Sequence, residues 1–152
     1  MANQACTITQ SLPTSVSGSR FREITWTYLT DDGTGDLNVT IALPAAIAGS
    51  GALGGPTPPI ANPPITGVAL RCICIPDAGN PPDNLYDITI LDKDGMDILH
   101  GNGANRSNAA ADDCIGYVSA NALVSVSLST LALTVTAAGN ANAGVVRLLL
   151  TM

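Results

Sequence analysis

Apolar side chains recur at every second position along several short stretches of this chain, and a period of two is the spacing of a β-strand with one buried face. Ile24, Trp26 and Tyr28 alternate with Glu23, Thr25 and Thr27, and Leu37, Val39, Ile41 and Leu43 alternate with Asn38, Thr40 and Ala42. Stretches 68–75, 85–91, 96–99, 114–118, 124–128, 131–135 and 145–150 either alternate or are apolar throughout. Arg71 alone interrupts 68–75, which suits a central strand. Helices are disfavoured, because only 12% of residues are charged, with a single lysine (Lys93) and a single glutamate (Glu23) to cover solvent-facing helix surfaces. The expected fold is all-β: an antiparallel, jelly-roll-like β-sandwich of about eight or nine short strands.

Turn residues divide these stretches. The run 31–36 (Asp31, Asp32, Gly33, Thr34, Gly35, Asp36) is expected to join 20–29 to 37–43 as a β-hairpin. Asp92-Lys93-Asp94-Gly95 is expected to join 85–91 to 96–99 as a second one. Stretch 76–83 closes the strand before it, and 100–113 is a Gly, Asn and Ala loop without periodicity. A chain of 152 residues suits one domain, burying roughly 70% of the surface of its unfolded form. Residues 1–19, polar and weakly alternating at Cys6, Ile8 and Gln10, are read as an N-terminal arm or edge strand, and 20–152 as one β-sandwich domain.

Stretch 44–66 is rich in Ala, Gly and Pro, and its prolines exclude both a helix interior and a central strand. A connection longer than about 12–15 residues without regular structure is usually functional or disordered, so this loop and segment 2–19 are the expected contact segments. The residues singled out as partner contacts are Pro44, Pro56, Pro58, Pro59, Ile60, Pro63, Pro64 and, in the opening segment, Ile8.

Charge and chemistry narrow the function. The formal charge is −6 and no basic cluster exceeds Arg20-Phe21-Arg22, which argues against nucleic acid, since phosphate contacts need a basic footprint. No stretch approaches the ~18 apolar residues of a membrane span, and the first twenty residues have neither a basic nor an apolar signal region, so a soluble product without membrane partners is expected. Asn38-Val39-Thr40 and Asn105-Arg106-Ser107 match the glycosylation pattern, which carries no weight without a secretion signal. One histidine, one glutamate and no nucleophile or metalloprotease motif make an enzyme unexpected. His100 reads as a solvated loop residue.

Cys72 and Cys74 lie at i and i+2 of one strand, facing the same side and badly placed to bridge each other. They read as small core residues, and the four cysteines as structural thiols, because a metal site would want a C-x2-C pair with a second pair or histidines. The run from Asp92 to Asp97 has oxygen ligands at alternate positions but lacks the glycine and glutamate placement of a calcium loop, and an Asp-Gly turn explains it more simply. No cofactor or metal is expected.

The segment 84–99, with Tyr86, Asp87, Asp92, Lys93, Asp94, Gly95 and Asp97, followed by Gly101, Gly103, Ala104, Asn105, Arg106 and Ser107, resembles small structural proteins of tailed bacteriophages. With the early Ile24-Thr25-Trp26 strand and the Leu131-Ala132-Leu133-Thr134-Val135 strand, the frame is similar to head decoration, or cement, proteins. The resemblance implies a non-enzymatic protein made in the host cytoplasm that binds the capsid exterior of the virion and stabilises it. It further implies two partners, the major capsid protein and the chain itself, as a homotrimer. The long 44–66 loop departs from the family's compact pattern. Two alternatives stay open: a tail, neck or fibre structural protein, and a calcium-dependent carbohydrate-binding or adhesion module using the aspartate-rich loops.

Overall fold

The structure, a computed structural model, describes residues 5–10, 14–16, 19–30, 37–41, 65–115, 125–129 and 131–151. All regular structure among them is β, so they include no helix able to cross a membrane. The strands are β1 (Ala5–Gln10), β2 (Thr14–Val16), β3 (Ser19–Leu29), β4 (Leu37–Ile41), β5 (Ile65–Pro76), β6 (Asp87–Leu91), β7 (Asp112–Asp113), β8 (Ser125–Ser129), β9 (Leu131–Thr136) and β10 (Ala143–Thr151). They form two antiparallel sheets. The larger runs β1-β3-β10-β5-β7, with β2 also on β3 and β8 also on β5; the smaller is β4-β9-β6.

Alternation in the sequence becomes alternation in burial. On β3, Ile24, Trp26 and Tyr28 are buried while Glu23, Thr25 and Thr27 face outward. Their neighbours on β10, Leu148 and Val146, pair with Ile24 and Trp26 and are buried too. The same cluster takes in Ile88, Ile90, Leu131, Leu133 and Val135 from the smaller sheet, so one apolar core draws on both sheets. At about 25 cal/mol per Å², sealing such rows is the dominant favourable term in folding. Arg22 continues the inward row of β3, and its Nε and Nη1 have no hydrogen-bond partner.

The first expected hairpin does not form. β3 lies between β1 and β10 in the larger sheet, whereas β4 pairs with β9 in the smaller one. Two strands apolar on one side can meet either edge to edge or through a shared core, and alternation alone does not distinguish the two. The turn residues 31–36 lie outside the described residues. β5 begins at Ile65, just after Pro63 and Pro64, so the strand takes up the last two residues assigned to the long loop. Between Ala69 and Arg71 its register against β10 shifts by one residue, and the extra residue, Leu70, is exposed. The strand expected at 114–118 is not seen as such: β7 ends at Asp113, Cys114 and Ile115 form a bend, and 116–118 lie outside the described residues.

Of the second expected hairpin, the first strand (β6) and the turn form, and the return is reduced to one antiparallel bridge between Leu91 and Asp97. Gly95 N–H donates to the Asp92 carbonyl at 3.1 Å, Asp92 N–H donates to the Met96 carbonyl at 2.9 Å, and Gly95 adopts a φ of 79°. Residues 96–99 are not a strand, because Asp97 diverts the backbone. Its carboxylate accepts N–H bonds from Leu99 (2.9 Å) and Gly101 (2.8 Å), and such local bonds compete with a ladder. Segment 96–106 instead lies as a strap on the outer edge of β6. Ile98 N–H donates to the Ile90 carbonyl, Ile88 N–H to the Gly103 carbonyl and Arg106 N–H to the Tyr86 carbonyl, at 2.8, 2.8 and 2.7 Å. An exposed edge is thereby closed without a further strand.

The strap approaches β6 so closely at Gly103 that a Cβ there would collide with the Ile88 carbonyl. Gly103→Ala is expected to cost about 1–3 kcal/mol, as overpacking does, measured by urea unfolding. A wild-type midpoint would show that the strap does not seal β6.

Candidate functional site

The residues singled out as contacts mostly escape description: Pro44, Pro56, Pro58, Pro59, Ile60, Pro63 and Pro64 all lie outside the described residues. Ile8 is on β1, opposite Trp26, half-buried against the core. β1 pairs with β3 and with no other strand among those described, so it forms an edge of the larger sheet. His100 is exposed with a φ of 52°.

The aspartate-rich turn has its carboxylates engaged by the chain's own amides. Asp92 Oδ1 accepts from Asp94 and Met96 N–H, both at 2.9 Å, and Asp87 Oδ1 accepts from Asn105 N–H at 2.8 Å. With Asp97 they act as turn and strap fasteners, in line with the Asp-Gly reading.

The densest chemistry in the described residues lies in the core. β5 turns Cys72 and Cys74 inward, as their i, i+2 spacing requires. β7 pairs Asp113 with Ile73 and Asp112 with Cys74, and the next residue, Cys114, bends into the core with its N–H donating to the Cys72 carbonyl at 2.8 Å. The three sulfurs lie within 4.8 Å of one another and all three residues are buried. Cys74 and Cys114 form a disulfide with a Cα–Cα distance of 6.8 Å, while Cys72 keeps a free thiol.

Two ion pairs hold β7 in place. Asp113 meets Arg71 at 2.9 Å on the exposed face, a contact worth little in water. Asp112 meets Arg106 Nη1 at 2.9 Å, and Arg106 is the better shielded partner, its side chain 17% exposed. The same guanidinium donates through Nε and Nη2 to the Ala104 carbonyl at 3.0 and 2.8 Å. Arg106 thus links strap, β6 and β7, and through β7 it positions Cys114.

Burial pushes the Cys72 thiol up to about 12, with Asp113 and Asp97 raising it further and Arg106 opposing them. Burial also pushes the Cys6 thiol up to about 11. Tyr28 and Tyr86 are raised by burial first; each hydroxyl influences the other, yet neither is aligned for a true hydrogen bond. Such thiols are inert as nucleophiles.

No family model, curated protein or solved structure matches this chain. Cys72 and Cys74 are buried and do not bridge each other, as their spacing implies, whereas the convergence of Cys114 on them has no counterpart in the local spacing pattern. Its only sequence signal, Asp112-Asp113 just before Cys114, becomes legible once Arg71 and Arg106 are known to be near.

Closing a loop across a sequence separation of 40 residues stabilises by about 4 kcal/mol in the chain-entropy account. The melting temperature of oxidised protein should therefore exceed that of reduced protein by about 10 °C. Cys114→Ser should abolish that difference; if it persists, another pair of cysteines carries it. For reduced protein, stability is expected to hold below about pH 8, where thiols keep their protons folded or unfolded. It should fall as pH rises toward 11–12, because the unfolded thiols ionise first. A flat melting profile between pH 8 and 11 would contradict the buried-thiol assignment.

Proposed function

We propose that this chain is a non-enzymatic virion structural protein, a decoration or cement protein that binds the exterior of a phage capsid and stabilises the shell. The observation that carries the reading is the strap. The segment that resembles decoration proteins, from Asn84 to Ser107, folds as a fastening along β6, with Asp87, Asp92 and Asp97 accepting bonds from its own backbone amides.

Two antiparallel sheets around one apolar core support a jelly-roll-like sandwich, an architecture found in viral capsid and lectin domains. From β3 to β6 and from β8 to β10, consecutive strands alternate between the two sheets. The orders β3-β10-β5-β8 and β4-β9-β6 are what supports this reading. A cement protein needs a rigid body with segments that reach its neighbours. Here segment 2–19, through its edge strand β1, and the 44–66 loop are assigned to the contacts, the major capsid protein and two further copies of the chain being the partners.

Co-sedimentation with undecorated capsids, run beside analytical ultracentrifugation, tests this. Saturable binding near one chain per capsid subunit and a trimeric free protein are expected. A monomer that ignores capsids would overturn the reading, and binding confined to one vertex would move the protein to the tail or neck. A melting temperature raised by Ca²⁺ and lowered by chelator would instead favour the carbohydrate-binding module.

A further inference from the structure

The geometry points to a second state for Cys72, Cys74 and Cys114: when reduced, we propose, the three thiols bind one copper(I) ion in a three-coordinate, all-sulfur site. The disulfide uses only two of the three sulfurs, and the third, on Cys72, is placed where a mere core residue need not be. Continuing the β5–β7 register by one residue sets Cys72 opposite Cys114, and the 2.8 Å bond from Cys114 N–H to the Cys72 carbonyl holds that pairing. Cys74 sits two residues along the same face. Cys114 therefore faces two cysteines at once.

The dimensions suit one ion. Metal–thiolate bonds of about 2.3 Å in a trigonal plane set the sulfurs about 4 Å apart; the three sulfurs here lie within 4.8 Å of one another, and opening the Cys74–Cys114 bond lets that pair part to the same spacing. Ligand type and number select the metal. Thiolates favour soft ions, copper(I) and zinc among them. Zinc wants a fourth ligand, yet no other His, Cys, Asp or Glu among the described residues joins the cluster. A buried three-sulfur set thus fits copper(I). Binding requires the Cys74–Cys114 disulfide to be opened by two electrons and two protons from a dithiol reductant, and each thiol that ligates releases its proton to solvent. Disulfide and metal then exclude each other at Cys114. This inference does not rest on the virion reading.

The test is an anaerobic competition between reduced, full-length protein and a chromogenic copper(I) chelator. One equivalent withdrawn per chain is expected, with Cys6→Ser behaving as wild type and Cys72→Ser holding copper at least tenfold more weakly. Trp26 fluorescence confirms that each variant is folded. Equal retention by folded Cys72→Ser would overturn the proposal. So would copper X-ray absorption on the wild-type complex showing two sulfur ligands rather than three, a measurement independent of any variant.

Discussion

Arg106 holds together parts of the chain that have no other reason to meet. Its backbone bridges to Tyr86 at the start of β6, its guanidinium caps the Ala104 carbonyl, and the same group pairs with Asp112 on β7. A side chain only 17% exposed that donates to both a carbonyl and a carboxylate is hard to replace, because removing it strands both acceptors in a half-buried place. Beside the Ile98–Ile90 and Ile88–Gly103 bonds of the strap and the Cys114–Cys72 backbone bond, this residue ties the strap to β7.

From that anchor the physical roles separate. The apolar rows of β3, β10, β6 and β9 supply the driving force, whereas the strap supplies definition by closing an edge that would otherwise invite pairing with another chain. The aspartates around the turn matter as acceptors of backbone N–H bonds more than as charges. That is why a run resembling an ion-binding loop is architecture, consistent with a protein proposed to act by shape and attachment.

The cysteine cluster has a different logic. Each thiol is a small apolar group that the core accepts readily, and burial suppresses its ionisation. What makes the cluster chemical is convergence: two residues from one strand and one from a bend, brought within bonding range by β7. The same packing that shields the sulfurs from solvent brings two of them into a disulfide and leaves the third beside it.

Strand identity was legible wherever alternation was strong. Ile24, Trp26 and Tyr28 and the Leu131–Thr136 strand were readable from period two, since a strand with one wet face must alternate, and the final Ala143–Thr151 strand from its apolar run. The turn at Gly95 was legible too, because a positive φ favours glycine. Pairing was not legible. The assignment of β3 and β4 to different sheets, the strap in place of a returning strand, and the meeting of Cys114 with Cys72 and Cys74 depend on contacts between residues far apart in the chain. Sequence by itself determined which side of each strand is buried, a local property of hydrophobic spacing; only the tertiary structure decided which strands share an edge, because several pairings bury the same faces equally well and long-range hydrogen bonds choose among them.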